Sequence, residues 1–536
     1  MSSLHPSETS APEEPLRPQG MEAAGWRRLD VRMLVVHPVR ELARLLPLLI
    51  GVMFAGSSSG RSTLWGLVGA GIAIGLGVLR WFTTTYRIAG GQVQVQRGLL
   101  RRRLLSVPLD RVRTVDVSAS ALHRVLGLVR VSVGTGLSDR KSNDALRLDG
   151  LSVAEADRLR DLLLHRGGVE QAATAAPEEV IAAMQPSWVW YGPFTFSGFV
   201  TVFVVLGFAW RIVSEAQIDP RRLGPVTAAT SELSMLPRWI EFLAALLVLL
   251  GVVAVASTVG YLLAFWNFHL VRNADGALQV TRGLVSTRAT TIEERRLRGV
   301  ELSEPLLLRA VRGARCIAIA TGLRVGRGAE RGGSLLLPPA PRQEARRVAT
   351  AVLHSPEPVE AELVRHGPSA HRRRHTRVLM IWALVVVALV GLAWLVPALS
   401  WTWQASLVLL PVWLALAYDR YLNLGHALAG RTLVTRAGSL VRRRSMLACD
   451  GIIGWNLRQS FFQRRAGLAT VVATTAAGRQ QYEVQDVGLA EAVRVADQAL
   501  PGLLTPFLAP ATGPSSISSA QVEIVLPGRD FLRRLR

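Results

Sequence analysis

Arginine supplies nearly all the positive charge of this chain, and much of it is clustered. Arg101-Arg102-Arg103 and Arg442-Arg443-Arg444 are runs of three, and Arg295, Arg296 and Arg298 form a looser group. A guanidinium is permanently charged and offers a planar fork of donors, so such groups suit phosphates and carboxylates. Near an anionic leaflet each arginine contributes about 1 kcal/mol, so three can orient a tethered domain without selecting one lipid. These nine residues are the candidate anionic-lipid contacts. The other reading is topogenic or merely solvated arginine, in a chain of net charge +23 whose one lysine is Lys141.

Other chemistry is sparse. Gly56-Ser-Ser-Ser-Gly60 has the spacing of a nucleophile elbow, but it sits between apolar runs rather than between a strand and a helix. Lys141 has no glycine loop before it, which rules out a phosphate-binding loop of the Walker type. His371 and His375 frame three arginines and read as solvated or headgroup-level residues. Asp110, Glu293, Glu294 and Asp450 read as surface carboxylates pairing with nearby arginines. Cys316 and Cys449 fit reduced packing positions better than a disulfide. No catalytic residue, cofactor site or metal site is expected. Nucleic acid is not expected as a partner either, since the basic charge lacks interleaved aromatic platforms.

The elements that must position the arginines recur three times. Copy one runs from Tyr86 through Arg97-Gly98, copy two from Phe268 through Arg282-Gly283, and copy three from His426 through Arg436-Ala-Gly438. Counting from that glycine, an apolar residue stands at +14 and +17 in each copy: Val112 and Val115, Leu297 and Val300, Ile452 and Trp455. A second glycine follows at Gly127, Gly313 and Gly467. Such self-similarity fixes an architecture more firmly than any single motif. Within a copy the pattern is β: Val129, Val131 and Val133 alternate at period two. Each copy closes on a helical stretch: Ser152 to His165, Pro339 to His354 and Leu489 to Leu500.

Between the copies lie uncharged runs. A bilayer core of about 30 Å needs roughly 20 apolar residues. Six spans are expected near 42–60, 63–82, 188–212, 239–266, 378–398 and 402–422, with tryptophans from Trp65 to Trp403, Trp188 among them, at the interfaces. The middle of each span carries no ionisable residue, which disfavours a proton-coupled transporter. Arginines crowd one side, as Arg27 to Arg44, Arg80 and Arg87, and Arg372 to Arg377. The positive-inside rule then places both termini and all three repeated domains in the cytoplasm.

The membrane hairpin, the Arg-Gly turn and the Val-x-Val strand ending in Thr-Gly (Thr135-Gly136, Thr321-Gly322) resemble the bacterial pleckstrin-homology domain (bPH2, DUF304-type) of the YdbT-like membrane proteins. The resemblance covers roughly 35–500; copy three departs from it most, lacking the closing Thr-Gly. It implies an α+β membrane protein: six transmembrane helices in three hairpins, each followed by a PH-like antiparallel β-barrel with a C-terminal helix. The expected division is a disordered tail 1–30, hairpin one 31–83, domain one 84–168, a linker 169–187, hairpin two 188–267, domain two 268–355, a basic linker 356–376, hairpin three 377–423, domain three 424–500 and a tail 501–536. The function expected is non-catalytic docking at the bacterial cytoplasmic membrane, with a role in envelope stress or defence implied by the resemblance. Partners are membrane lipids and a companion membrane protein or a second copy of the chain. A transporter or channel subunit is the alternative.

Overall fold

The computed structural model describes residues 26–34, 82–89, 92–97, 103–108, 114–134, 146–164, 178–195, 237–274, 276–323 and 334–504, besides the isolated residues Val36, Val39, Gly71, Gly75, Val78, Leu79 and Gly207. The expected spans 42–60 and 63–82, and most of 188–212, lie almost wholly outside them, as do residues 1–25 and 505–536.

Alternating apolar residues build two half-sheets per copy, both antiparallel. In copy one the first half is β2 (Thr85–Ala89), β3 (Gln92–Arg97) and β4 (Arg103–Pro108). The second half is β5 (Thr114–Ala119), β6 (Leu128–Gly134) and β7 (Leu146–Ser152), with a short helix α1 (Ala121–Val125) after β5 and a closing helix α2 (Val153–Leu164). Val93, Val95 and Val107 of the first half meet Val115, Val131 and Leu148 of the second in one core.

Copies two and three repeat the order. Copy two has β9 (His269–Arg272), β10 (Ala277–Arg282) and β11 (Thr287–Glu293), then β12 (Leu297–Pro305), β13 (Gly313–Ala320) and β14 (Leu335–Pro341). Copy three has β15 (Gly425–Ala429), β16 (Thr432–Ala437) and β17 (Val441–Ala448), then β18 (Gly454–Arg458), β19 (Leu468–Thr474) and β20 (Gln481–Gly488). The short helices after β12 and β18 are α4 (Leu306–Ala310) and α10 (Phe461–Arg465), and the closing helices are α5 (Arg342–Leu353) and α11 (Leu489–Ala499).

The half-sheets do not stay within their copy. Strand β11 pairs with β5, joining the second half of copy one to the first half of copy two, and β17 pairs with β12 in the same way. The two seams share one register. Position +4 of the later copy faces +21 of the earlier (Thr287 opposite Ala119, Arg442 opposite Glu304), and +8 faces +17 (Thr291 opposite Val115, Met446 opposite Val300). Period-two patterning selects which face of a strand is buried but not which chain segment lies beside it. That is why the sequence predicts separate domains and the structure shows shared sheets.

Several expectations need correction. The segment read as tail and linker is partly ordered. Arg27–Arg28 form β1 on the edge of β2, and Leu29, Met33 and Val36 are buried in the copy-one core. Glu179–Ala183 inside the expected linker 169–187 form β8, paired with β9. Trp188, expected at the membrane interface, is fully buried in the copy-two core on a 3-10 turn, Pro186–Phe194, so no straight span begins there. A long uncharged run looks the same whether lipid or protein covers it.

Among the described residues two helices are long and apolar enough to cross a membrane, α3 (Arg238–Phe265) and α7 (Pro368–Leu395). Helix α7 starts ten residues before the expected 378, so the basic stretch Arg372 to Arg377 forms its first turns. Glu357–Glu360, a single helical turn labelled α6, further reduces the expected linker 356–376. After a turn at Pro397–Leu399, the expected sixth span is broken into α8 (Thr402–Val408) and α9 (Leu410–Leu422), bent by 42°. Pro411 in the first turn of α9 cannot donate to the preceding turn, which accounts for the break.

Candidate membrane-docking rim and arginine seams

The aligned glycine opens the turn that carries the site. Gly283 and Gly438 have φ of +108° and +105°, and a Cβ there would collide with the carbonyl oxygens of Ser286 and Val441. Only glycine fits such a position. The extra Ala437 of copy three leaves this geometry intact. Each of these two turns is fastened to the end of an apolar helix. Gly283 N donates to Trp266 O at 2.9 Å and Leu284 N to Leu263 O at 3.0 Å, at the end of α3. Ser439 Oγ donates to Asp419 Oδ2 at 2.7 Å, and Arg436 Nη2 to Leu422 O at 3.2 Å, at the end of α9.

The short helices lie at the same level. Arg124 of α1 donates to Leu284 O, and Leu306 N of α4 donates to Leu440 O at 2.8 Å. Arg309 of α4 pairs with Asp419 at 2.8 Å. In copy three, Arg373 on the first turns of α7 donates to Ser460 Oγ at 3.3 Å, and Ser460 caps α10 through a reciprocal capping box with Gln463. Turns and short helices thus form a rim level with the helix ends. The rim exposes apolar side chains: Val125, Val285, Leu440, Phe461 and Phe462. Phe461 is 73% exposed. Large apolar side chains beside helix ends are what an interfacial surface requires.

The candidate arginines divide by environment. Arg101 and Arg102 lie outside the described residues, and Arg103 is the first residue of β4. Arg295, 74% exposed, and Arg296 both pair with Glu293, at 2.5 and 3.1 Å. Arg298 reaches Asp450 at 3.4 Å across the second seam. Arg442 forks onto Glu304 in that seam, with Nε at 2.8 Å. Arg443 lies 3.6 Å from Glu301, and Arg444 donates to the carbonyls of Pro358 and Ala361 at 3.0 and 2.8 Å. Burial pushes Arg444 down to about 10, still charged at neutral pH. The structure therefore brings Arg298 and the Arg442 triplet together around one seam. Glu293 and Asp450 pair with arginines as expected, and Glu294 holds Arg272 at 2.8 Å; Asp110 lies outside the described residues.

Three features carried no usable signal in the sequence. Glu301 and Glu304 are buried carboxylates of copy two at the second seam: Glu301 receives Arg443 and Arg479 of copy three, and Glu304 receives Arg442 of copy three and Arg342 of its own copy. At the first seam a cavity of about 140 Å3 is lined by Val117, Ala119, Thr281, Arg282, Thr287 and Arg288. Arg282 stacks 5.5 Å above the Phe265 ring, and burial followed by the charge of Arg288 pushes it down to about 10. Copy three also rests on a buried polar base, where Asp486 accepts from Arg373 and Gln463 and forms an ion pair with Arg374 at 2.6 Å. Beside it, His366 Nε2 and His426 Nδ1 are 3.0 Å apart. His371 and His375, expected at headgroup level, stack on each other at 4.3 Å, and His371 also lies edge-on to Tyr421 at 4.7 Å. Among the described residues no His, Cys, Asp and Glu group could hold a metal ion.

Apolar helices feeding repeated half-sheets, with glycine turns locked on the ends of α3 and α9, match a known domain. The bacterial PH domain model matches residues 39–167 and 376–501, the stretches that contain copies one and three. Transmembrane protein YdbT of Bacillus subtilis (strain 168) is 20% identical over 436 residues, covering 77% of this chain and 84% of that protein. The chain thus carries two regions similar to the bacterial PH domain and resembles YdbT over most of its length. No solved structure matches it significantly.

Proposed function

We propose that this protein is a non-catalytic, multi-pass membrane protein whose three PH-like domains dock on the anionic cytoplasmic leaflet and present their outer faces to partner proteins. In this reading six spans form three hairpins, each domain is a PH-like barrel with a closing helix, and the first two spans carry copy one as the later helices carry copies two and three. A role in envelope stress or defence fits such a surface-sensing arrangement. The observation that carries the reading is the rim: exposed Val125, Val285, Leu440, Phe461 and Phe462 stand at the level of the membrane-helix ends. The arginines supply the electrostatic half. Arg101, Arg102 and Arg103 are the sequence cluster proposed for an anionic headgroup, joined by exposed Arg295. Arg296, Arg298, Arg442, Arg443 and Arg444 contact lipid only in competition with Glu293, Asp450, Glu304, Glu301 and backbone carbonyls.

The test uses the full chain in nanodiscs holding one chain each. An environment-sensitive label is placed at Val285, Leu440 or Phe462, with Glu360 as a control far from the rim. Quenching of the three rim labels by doxyl-lipid, stronger in anionic discs and weakened by salt and by an Arg101/Arg102/Arg103→Ser variant, is expected. Rim labels no more quenched than the control overturn membrane docking. The domains are then read as protein-docking modules held off the bilayer.

A further inference from the structure

Two seams of identical register leave two matching edges unused. Strand β4 is the copy-one counterpart of β11 and β17, and β18 is the copy-three counterpart of β5 and β12. Among the described residues, no strand pairs with the outer edge of β4 or of β18. We propose that β4 of one chain pairs antiparallel with β18 of a second copy, forming a third seam and a head-to-tail assembly in the plane of the membrane.

The internal register fixes the pairing: Leu104 opposite Leu457, Leu105 opposite Asn456, Ser106 opposite Trp455 and Val107 opposite Gly454. Exposure marks the same edges. At +8, Thr291 and Met446 are buried in the internal seams, whereas Ser106 is exposed; at +6, Leu104 is a large apolar side chain 58% exposed. At +18, Glu301 is buried and Asn456 is exposed. A glycine points the same way. At +16 of copy two, Gly299 lets β17 approach so closely that a Cβ would strike Met446 O. Copy three keeps a glycine there, Gly454, although a Cβ on it would meet nothing nearer than Thr474 Oγ1 at 3.5 Å. The interface is heterologous, so it propagates as a ring or an open chain.

Charge makes this seam the weakest of the three. In the internal seams an acid at +18 attracts the arginine at +5: Asp116 lies 3.8 Å from Arg288, and Glu301 3.6 Å from Arg443. The third seam has Asn456 at that acid position, and its register sets Arg103 opposite Arg458. Like charges opposed across a ladder weaken it, and salt screens them. Association therefore strengthens with salt, whereas anionic-lipid docking weakens, so the two readings fail independently.

The experiment mixes two differently tagged full-length populations in vesicles, one Leu104→Cys and one Leu457→Cys. The native cysteines are buried. Directly opposed Cβ atoms lie about 4.5–5.5 Å apart, which a disulfide can bridge after small adjustment. Ala289→Cys with Val117→Cys in one chain, an opposed pair of the first seam at the same +6 and +19 positions, is the internal standard. The expected result is a mixed-tag dimer for 104 with 457 and little for 104 with 456, which projects from the other face. Asn456→Asp, added to the 457 chain, should raise the yield about two- to fivefold. No mixed dimer while the standard closes overturns the proposal, as do equal yields for 456 and 457. Failure of the standard removes the shared seam and the proposal with it.

Discussion

Strands β17 and β4 begin alike, each preceded or opened by three arginines after the aligned glycine, and they end in different surroundings. Beside β17 runs β12, whose Glu301 and Glu304 hold Arg443 and Arg442. On the outer edge of β4, opposite β3, no strand runs among the described residues. The same local sequence is a structural clamp in one copy and an unclaimed edge in another. What an arginine run does in this protein is decided by the carboxylates of the preceding copy, not by the run itself.

The contrast can be broken first at +18. Glu301 is 4% exposed, accepts from Ser445 at 3.2 Å and pairs with Arg443 and Arg479. Glu301→Ala removes the shared partner of two half-exposed cations and the acceptor of Ser445, and should cost about 1–3 kcal/mol. Asn456→Ala at the equivalent exposed place should cost less than about 0.5 kcal/mol. Thermal unfolding of the full chain in detergent measures both.

A second difference is chemical. In copy one, Tyr86 donates to Glu155 of the closing helix at 2.8 Å; in copy three, His426 takes the place of Tyr86 and lies 3.7 Å from Glu491. Burial holds His426 and His366 below the usual histidine value, His366 at about 4, with His426 adding to the shift of His366. A depressed histidine binds its proton in the unfolded chain first, so stability is present at neutral pH and falls as pH drops from about 6.5 to about 4. Copy three should lose roughly 2–3 kcal/mol over that window, whereas copy one has Tyr86 where His426 stands in copy three. Hydrogen exchange at pH 7 and pH 5 reads the two copies separately.

Smaller effects sharpen the comparison. Gly299→Ala forces β17 away from β12 and should cost about 2 kcal/mol; Gly454→Ala should cost below about 1 kcal/mol in the single chain. Phe462→Ser on the rim should leave the unfolding midpoint within about 0.5 kcal/mol of the parent, yet reduce doxyl-lipid quenching of a label at Leu440.

Much of the scaffold was legible from residues. The closing helices at Val153–Leu164, Arg342–Leu353 and Leu489–Ala499 fall within the stretches read from their patterns, and the aligned Gly283 and Gly438 mark turns that no other residue fits. What escaped depends on neighbours distant in sequence. A period-two strand does not say that β5 pairs with β11, 168 residues apart between Ala119 and Thr287. An uncharged run does not say that Trp188 packs beside Phe268, 6.2 Å between ring centroids, rather than against lipid. The site was legible as arginine clusters, but Glu301, Glu304 and Asp486 look like ordinary carboxylates until the seams and the copy-three base bring arginines onto them.

The most direct measurement is hydrogen exchange on the full chain in nanodiscs holding one chain each, resolved to the strands β4, β11, β17 and β18. Shared sheets predict slow exchange along both edges of β11 and β17 and fast exchange of the outward-facing amides of β4 and β18. Equal protection of all four strands in a single chain would contradict the account.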